Sequence, residues 1–180
     1  MPRPKVYLAG PDVFLPNAVE IGARKKELCE QHGFNGVFPL DEIPPPLSVP
    51  AEFALATFDI CVKMMRACQL AVANLSPFRG VSMDVGTAVE LGFMWASGKP
   101  VFGYTNAQED YKVRVEAANV AGDLDVEDFG FFDNLMCESI VRNSGGSVVR
   151  HTPARGREFS DLTGFEECLA QAAQVLLESS

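Results

Sequence analysis

The run Leu70-Ala71-Val72-Ala73-Asn74-Leu75 is apolar at every position except Asn74. A strand with one face in water alternates apolar and polar residues, so an unbroken apolar run of strand length points to a strand covered on both faces. Such strands belong to parallel sheets, whose long connections are usually helices. The surrounding segments fit that demand. Lys5 to Ala9 reads as a first strand, ended by Gly10-Pro11, and Asn17 to Gln31 as an amphipathic helix closed by Gly33. Gly36 to Leu40 reads as a second strand, Ala51 to Ala67 as a helix and Val101 to Tyr104 as a further strand. Between them, Asp41 to Pro50 carries Pro44, Pro45, Pro46 and Pro50 and reads as an ordered loop. The expected architecture is a doubly wound α/β sheet with right-handed crossovers, forming a single domain over residues 1–180.

In such sheets ligands bind beyond the carboxyl ends of the strands. The segments expected there are Gly10 to Phe14, Leu40 to Pro46, Ser76 to Glu90, and Tyr104 onward. One of them holds an unusual charge. From Val85 to Gly98, Glu90 is the only charged residue, in a run of helical length that Ser82 or Asp84 can cap. The run is small or apolar on nearly every face, the pattern of a helix buried all round. A buried carboxylate without a partner costs several kcal/mol, so one reading makes Glu90 a nucleophile or base. The other places it on a narrow strip facing solvent. Its position near the helix N-terminus favours the ionised form, and Thr87, three residues earlier, shares its face. Asp84 is either a pure N-cap or a cap that also turns toward the pocket. Tyr7, on the first strand, is either a core aromatic or a hydrogen-bond partner of Glu90. Two carboxylates near one site suit glycosyl chemistry, in which one attacks the anomeric carbon and the other binds sugar hydroxyls or delivers a proton.

The net charge of -9 argues against nucleic acid or an anionic membrane as partner and leaves small molecules as the natural ligand class. The densest basic cluster, Arg24-Lys25-Lys26, reads as a solvated helix face. Five cysteines, an odd number without CxxC spacing, fit a reducing cytosol better than a disulfide framework or zinc site. Cys61 and Cys68 are expected to share a helix face and pack in the core. The first apolar stretch, Val6 to Gly10, is too short for a secretory signal, and the reading expects a cytoplasmic protein. Asp123, Asp125, Glu127 and Asp128 lack EF-hand spacing and read as a solvated loop. Ser144 to Ser147 reads as a plain turn within a loop from Asn143 to Arg157, Asp133 to Val141 as a short helix, and Phe165 to Leu177 as a closing amphipathic helix. No metal or cofactor is expected.

Three blocks taken together resemble the nucleoside 2-deoxyribosyltransferases: Tyr7-Leu8-Ala9-Gly10-Pro11, Val72 through Gly80, and Asp84-Val85-Gly86-Thr87-Ala88-Val89-Glu90-Leu91-Gly92. Asp133-Asn134-Leu135-Met136 resembles a fourth, and the blocks stand in family order. The resemblance implies a flavodoxin-like fold with a five-stranded parallel sheet. It implies transfer of 2-deoxyribose between purine or pyrimidine bases with retention, so that deoxynucleosides and free nucleobases are the expected partners. Glu90 falls on the family nucleophile, Asp84 on the aspartate beside sugar and base, and Tyr7 on the tyrosine that orients the nucleophile. Asn134 falls on an asparagine that reaches a neighbouring subunit's site, which implies a homo-oligomer, dimer or hexamer, with shared sites. Family members also carry an acidic residue on the helix before the third strand, and Asp59 is the nearest candidate. Gly10, Phe14 and Gly86 complete the expected substrate-binding set. Two other readings stand beside the transferase. One is a hydrolase of deoxynucleoside 5'-monophosphates, with Ser76, Ser82, Arg79 and Ser144 to Ser147 as candidate phosphate contacts. The other is a non-catalytic nucleotide-binding module.

Overall fold

The computed structural model describes residues 2–178. Five parallel strands form one sheet: β1 (Lys5–Ala9), β2 (Asn35–Val37), β3 (Leu70–Asn74), β4 (Val101–Thr105) and β5 (Val149–Arg150). Their order is β2-β1-β3-β4-β5, the order of flavodoxin-like sheets. Among the described residues six α-helices accompany them: α1 (Ala18–Gln31), α2 (Pro50–Ala67), α3 (Val85–Ala96), α4 (Tyr111–Ala118), α5 (Leu135–Asn143) and α6 (Thr163–Glu178). Among the described residues no helix is long and apolar enough to cross a membrane.

The period of two along each strand divides the core. Val6 and Leu8 of β1 join Leu70, Val72, Phe102 and Tyr104 under α1 and α6. Tyr7 and Ala9 point the other way and join Ala71, Ala73 and Val101 under α2, α3 and α5. The side of the sheet that Tyr7 faces is therefore fixed by the same alternation that fills both cores, and it is the side on which α3 lies.

Several expectations need correction. The second strand ends at Val37, because Pro39 starts a single 3-10 turn over Pro39–Asp41. The fifth strand lies within the stretch expected to be loop, at Val149–Arg150. The helix α4 forms in a segment whose charges and apolar residues show no clean period. Nor is α3 buried all round in the single chain: Thr87, Leu91 and Met94 face the core, whereas Val85 and Val89 are exposed. Cys68 lies one residue past α2, buried, rather than on the helix face of Cys61. The Ser144 to Ser147 turn precedes β5, at the amino end of the parallel sheet.

The largest correction concerns Lys25. It is not a solvated residue but fully buried, with Nζ 2.7 Å from the equally buried Asp12 Oδ2. The ammonium also lies over the rings of Tyr104 and Phe165, at 5.5 and 5.2 Å from their centroids. Asn74 Nδ2 donates to the other oxygen of Asp12 at 3.2 Å, and Asn74 Oδ1 accepts from Ser76 N at 3.1 Å. One cluster thus ties the loop after β1 to the end of β3. Gly10 makes room for it. Its φ of 147° is a conformation open essentially to glycine, and a Cβ there would sit 2.6 Å from Asp12 Oδ2 and 2.8 Å from Asn74 Cβ. Removing one partner of a buried ion pair leaves a charge with nothing to offset its desolvation. Lys25→Met should therefore lower the unfolding free energy by about 3–5 kcal/mol, read from urea denaturation; a loss below about 1 kcal/mol would mean that water reaches Asp12.

Candidate active site

In the order β2-β1-β3 the connection after β1 leads to one side and the later strands lie on the other, so the winding of the sheet reverses beside β1 and opens a crevice at the carboxyl ends of β1 and β3. A cavity of about 300 Å³ lies there, bounded by Gly10 and Phe14 after β1, Leu40 and Ile43 after β2, Thr57 and Cys61 on α2, and Asp84, Gly86 and Glu90 at the start of α3. Three of the four segments expected from the sequence line it. The fourth does not, since Tyr104 is buried in the core beneath α6.

Tyr7 Oη donates to Glu90 Oε1 at 2.6 Å, joining β1 to α3. Among the described residues Glu90 Oε2 has no donor. Burial pushes the Glu90 carboxyl up to about 7; the Tyr7 hydrogen bond pulls it down, and the Asp84 charge pushes it up. The helix dipole alone would favour the ionised form, and desolvation outweighs it. Tyr7 itself is held far above the usual phenol range, by burial first and then by the Glu90 charge, so it stays protonated and keeps its role as donor. Burial and then the Glu90 charge push the Cys61 thiol up, and the Tyr7 hydroxyl pulls it down.

Asp84 is the N-cap of α3. Its Oδ2 accepts from Thr87 N at 3.0 Å and Thr87 Oγ1 at 3.2 Å, and its Oδ1 takes no protein donor among the described residues. Thr87 therefore holds Asp84 rather than Glu90, although its spacing puts it on the helix face of Glu90. A Cβ on Gly86 would lie 3.0 Å from Asp84 Oδ2, so a larger residue would press on the capping carboxylate.

Phe14 is 53% exposed at the rim of the cavity. Its ring stacks on Phe78 with centroids 5.5 Å apart and planes 15° apart. The Arg79 guanidinium lies over both rings, at 4.8 and 4.7 Å, from a backbone with φ of 55°. Ser76 is buried and its Oγ accepts from Asn106 N at 2.9 Å. The loop Ser144 to Ser147 stands at the opposite end of the sheet from the cavity, which removes it as a phosphate contact for this site.

Two expected residues are not brought to the cavity within one chain. Asp59 is exposed on α2, and the α2 residues that face the cavity are Thr57 and Cys61. The signal for them was available: 57 and 61 are spaced i, i+4 and share a helical face with Met64 and Met65, the buried pair of α2. Asn134 caps α5, accepting from Met136 N at 3.1 Å and donating to Glu127 Oε2 at 3.1 Å, and lines a separate cavity with Val81 and Tyr111. Among the described residues no group of acidic, His or Cys side chains is arranged to hold a metal.

Fold and site together define an α/β protein with a desolvated carboxylate, hydrogen-bonded to tyrosine, in a small-molecule cavity at the switch point of its sheet. The model of the nucleoside 2-deoxyribosyltransferase family matches residues 6–136, and the chain belongs to that family. It is 38% identical over 170 aligned residues to the uncharacterized protein C191.05c of Schizosaccharomyces pombe, a match covering 81% of each chain. It is also similar to 2-desoxiribosyltransferase from Leishmania mexicana, with a TM-score of 0.66 and 29% identity over 88% of this chain and 96% of that one. A conserved protein from Enterococcus faecalis V583 shares the fold, with a TM-score of 0.59 and 20% identity over 94% of this chain and 99% of the other.

The Glu90 environment has a measurable cost to stability. With the carboxyl at about 7 in the folded chain and an ordinary value of 4.5 when unfolded, ionisation opposes folding. The penalty is absent below pH 4.5 and fully present above pH 7. Glu90→Gln, which cannot ionise, should gain on the order of 2–3 kcal/mol over the wild type between pH 5 and pH 8 in chemical denaturation. A difference that does not change with pH would show that Glu90 is not desolvated.

Proposed function

We propose that the protein transfers 2-deoxyribose between nucleobases through a covalent ester on Glu90. The observation that carries the reading is the hydrogen bond from the buried Tyr7 to Glu90 at the wall of the switch-point cavity, because it holds one carboxylate oxygen and leaves the other without a protein donor among the described residues. Glu90 Oε2 attacks C1' of a bound deoxynucleoside. The glycosidic bond breaks, its electron pair goes to the departing base nitrogen, and that nitrogen takes a proton from Asp84 or from water. A second base then attacks C1' from the opposite face, the ester bond breaks and its electron pair restores the Glu90 carboxylate, and the N–H proton of the incoming base returns to the group that gave one up in the first half. Two inversions give net retention.

Each neighbour has a task in this scheme. Tyr7 orients the nucleophile. Asp84, with one oxygen spent on the cap, has Oδ1 left for a sugar hydroxyl or the base. Gly10 and Gly86 let backbone approach the ligand closely, and the stacked Phe14 and Phe78 keep water from the ester, which would otherwise hydrolyse. The cavity volume lies at the lower end of those that bind small molecules.

The proposal includes a homo-oligomer. Val85 and Val89 on α3 are exposed, as are Phe53, Leu55 and Phe58 on α2, and these two helices border the cavity. Apolar residues grouped on neighbouring helices are a surface for another chain. Asn134, which does not line the cavity of its own chain, and Asp59, exposed on α2, would serve the site of the neighbouring subunit. A monomer in light scattering would remove this shared-site element.

Incubation with a deoxynucleoside and a panel of free bases, followed by chromatography, tests the reaction. New deoxynucleosides should form, with an acid limb in kcat/KM near the Glu90 value of about 7. Glu90→Ala should lose at least about a hundredfold in rate. Exchange by Glu90→Ala at the wild-type rate would refute the covalent mechanism, and release of base without a new nucleoside would make the protein a hydrolase instead.

A further inference from the structure

Asp84 works only if the three residues before it are fixed, and none of them is part of a helix or strand. Val81, Ser82 and Met83 connect the loop after β3 to the cap of α3. The turn from Phe78 to Ser82 closes on itself through Phe78 N and Ser82 O at 2.9 Å. Beyond that turn, two partners from distant sequence hold the backbone. Arg114 Nε donates to Val81 O at 3.0 Å. Asp133 Oδ2 accepts from Met83 N at 2.8 Å.

These partners also hold each other. Arg114 Nη2 is 3.7 Å from Asp133 Oδ2, and the two side chains are 10% and 2% exposed. Arg114 further donates to Glu109 O at 2.5 Å and to Phe132 O. Asp133 Oδ1 accepts from Asn134 N at 2.8 Å, so the carboxylate that fixes Met83 also fixes the start of α5. Neither residue lines the cavity that contains Glu90. A planar guanidinium with several donors can serve carbonyls on different segments at once, which an ammonium cannot. A carboxylate can accept at both oxygens, whereas an amide in its place must turn a donor toward one of the two N–H groups.

We propose that the Arg114–Asp133 pair is a positioning device for Asp84: it fixes the Val81 to Met83 backbone so that Asp84 caps α3 with one oxygen and presents the other to substrate. The inference rests on the proposed role of Asp84 and adds residues outside the cavity to the machinery. It distinguishes positioning from general support, because a device that acts through Asp84 has nothing to act through once Asp84 is changed.

A double-mutant cycle reads that difference. Arg114→Lys keeps the buried positive charge and loses the fork. It should lower kcat/KM for base exchange about tenfold in the wild-type background. In the Asp84→Asn background it should lower it by less than about twofold. Equal losses in both backgrounds would overturn the inference and leave the pair as scaffold. If Arg114→Lys does not fold, Asp133→Asn carries the same cycle; if Asp84→Asn turns over too slowly, the cycle is read on nucleoside affinity. A wild-type chain that releases base without transferring sugar overturns the transferase reading, and the cycle is then read on the release rate, so the two failures are distinct.

Discussion

The hydrogen bond from Tyr7 to Glu90 is the constraint around which the rest of the site is arranged. It requires Tyr7 to face α3, which the alternation along β1 secures, and it requires Glu90 to point into the cavity from the first turns of α3. A carboxylate removed from water, with one tyrosine as donor and one aspartate as a repelling neighbour, has its ionisation moved up to about 7. It is consequently a stronger base and nucleophile than an exposed glutamate, while remaining partly ionised near neutral pH. The fold carries the cost of that desolvation, as is common where activity and stability pull in opposite directions.

Supports on two sides make the cost bearable. On the β1 side, the buried Lys25–Asp12–Asn74 cluster locks the loop that begins at Gly10, and its ion pair is covered by Tyr104 and Phe165. On the α3 side, Asp133 and Arg114 hold the approach to the N-cap. Neither support touches the cavity, and each joins segments far apart in sequence. The loops that border the cavity are therefore held by charges inside the protein rather than by their own secondary structure.

What the sequence disclosed depended on how local the signal was. The strand formers of Lys5 to Ala9 and the apolar run of β3 were sufficient to place the sheet, whereas the partner of Tyr7 stayed open between the core and Glu90. The isolated charge of Glu90 stood out because thirteen uniform neighbours surround it between Val85 and Gly98. Lys25 was misread since a buried lysine between Arg24 and Lys26 has no local mark; only its pairing with Asp12, thirteen residues away, makes it tolerable. The strand β5 escaped because two residues leave no period to detect. Asp59 and Thr57 are two residues apart on one helix, roughly 200° around its axis, so a small error of register exchanges the exposed face for the one at the cavity. Asn134 stands in a block that resembles the family, yet as the cap of α5, bonded to Glu127, it does not line the cavity that holds Glu90 in its own chain.

The central claim is that Glu90 forms a bond to the sugar, and peptide mass spectrometry tests it most directly. The protein is mixed with a deoxynucleoside in the absence of an acceptor base, quenched in acid and digested. The account predicts a mass increase of one 2-deoxyribosyl group on the peptide containing Glu90, lost on addition of a free base and absent from Glu90→Gln. An adduct on another residue, or exchange at full rate with no adduct under conditions that preserve glycosyl esters, would contradict it.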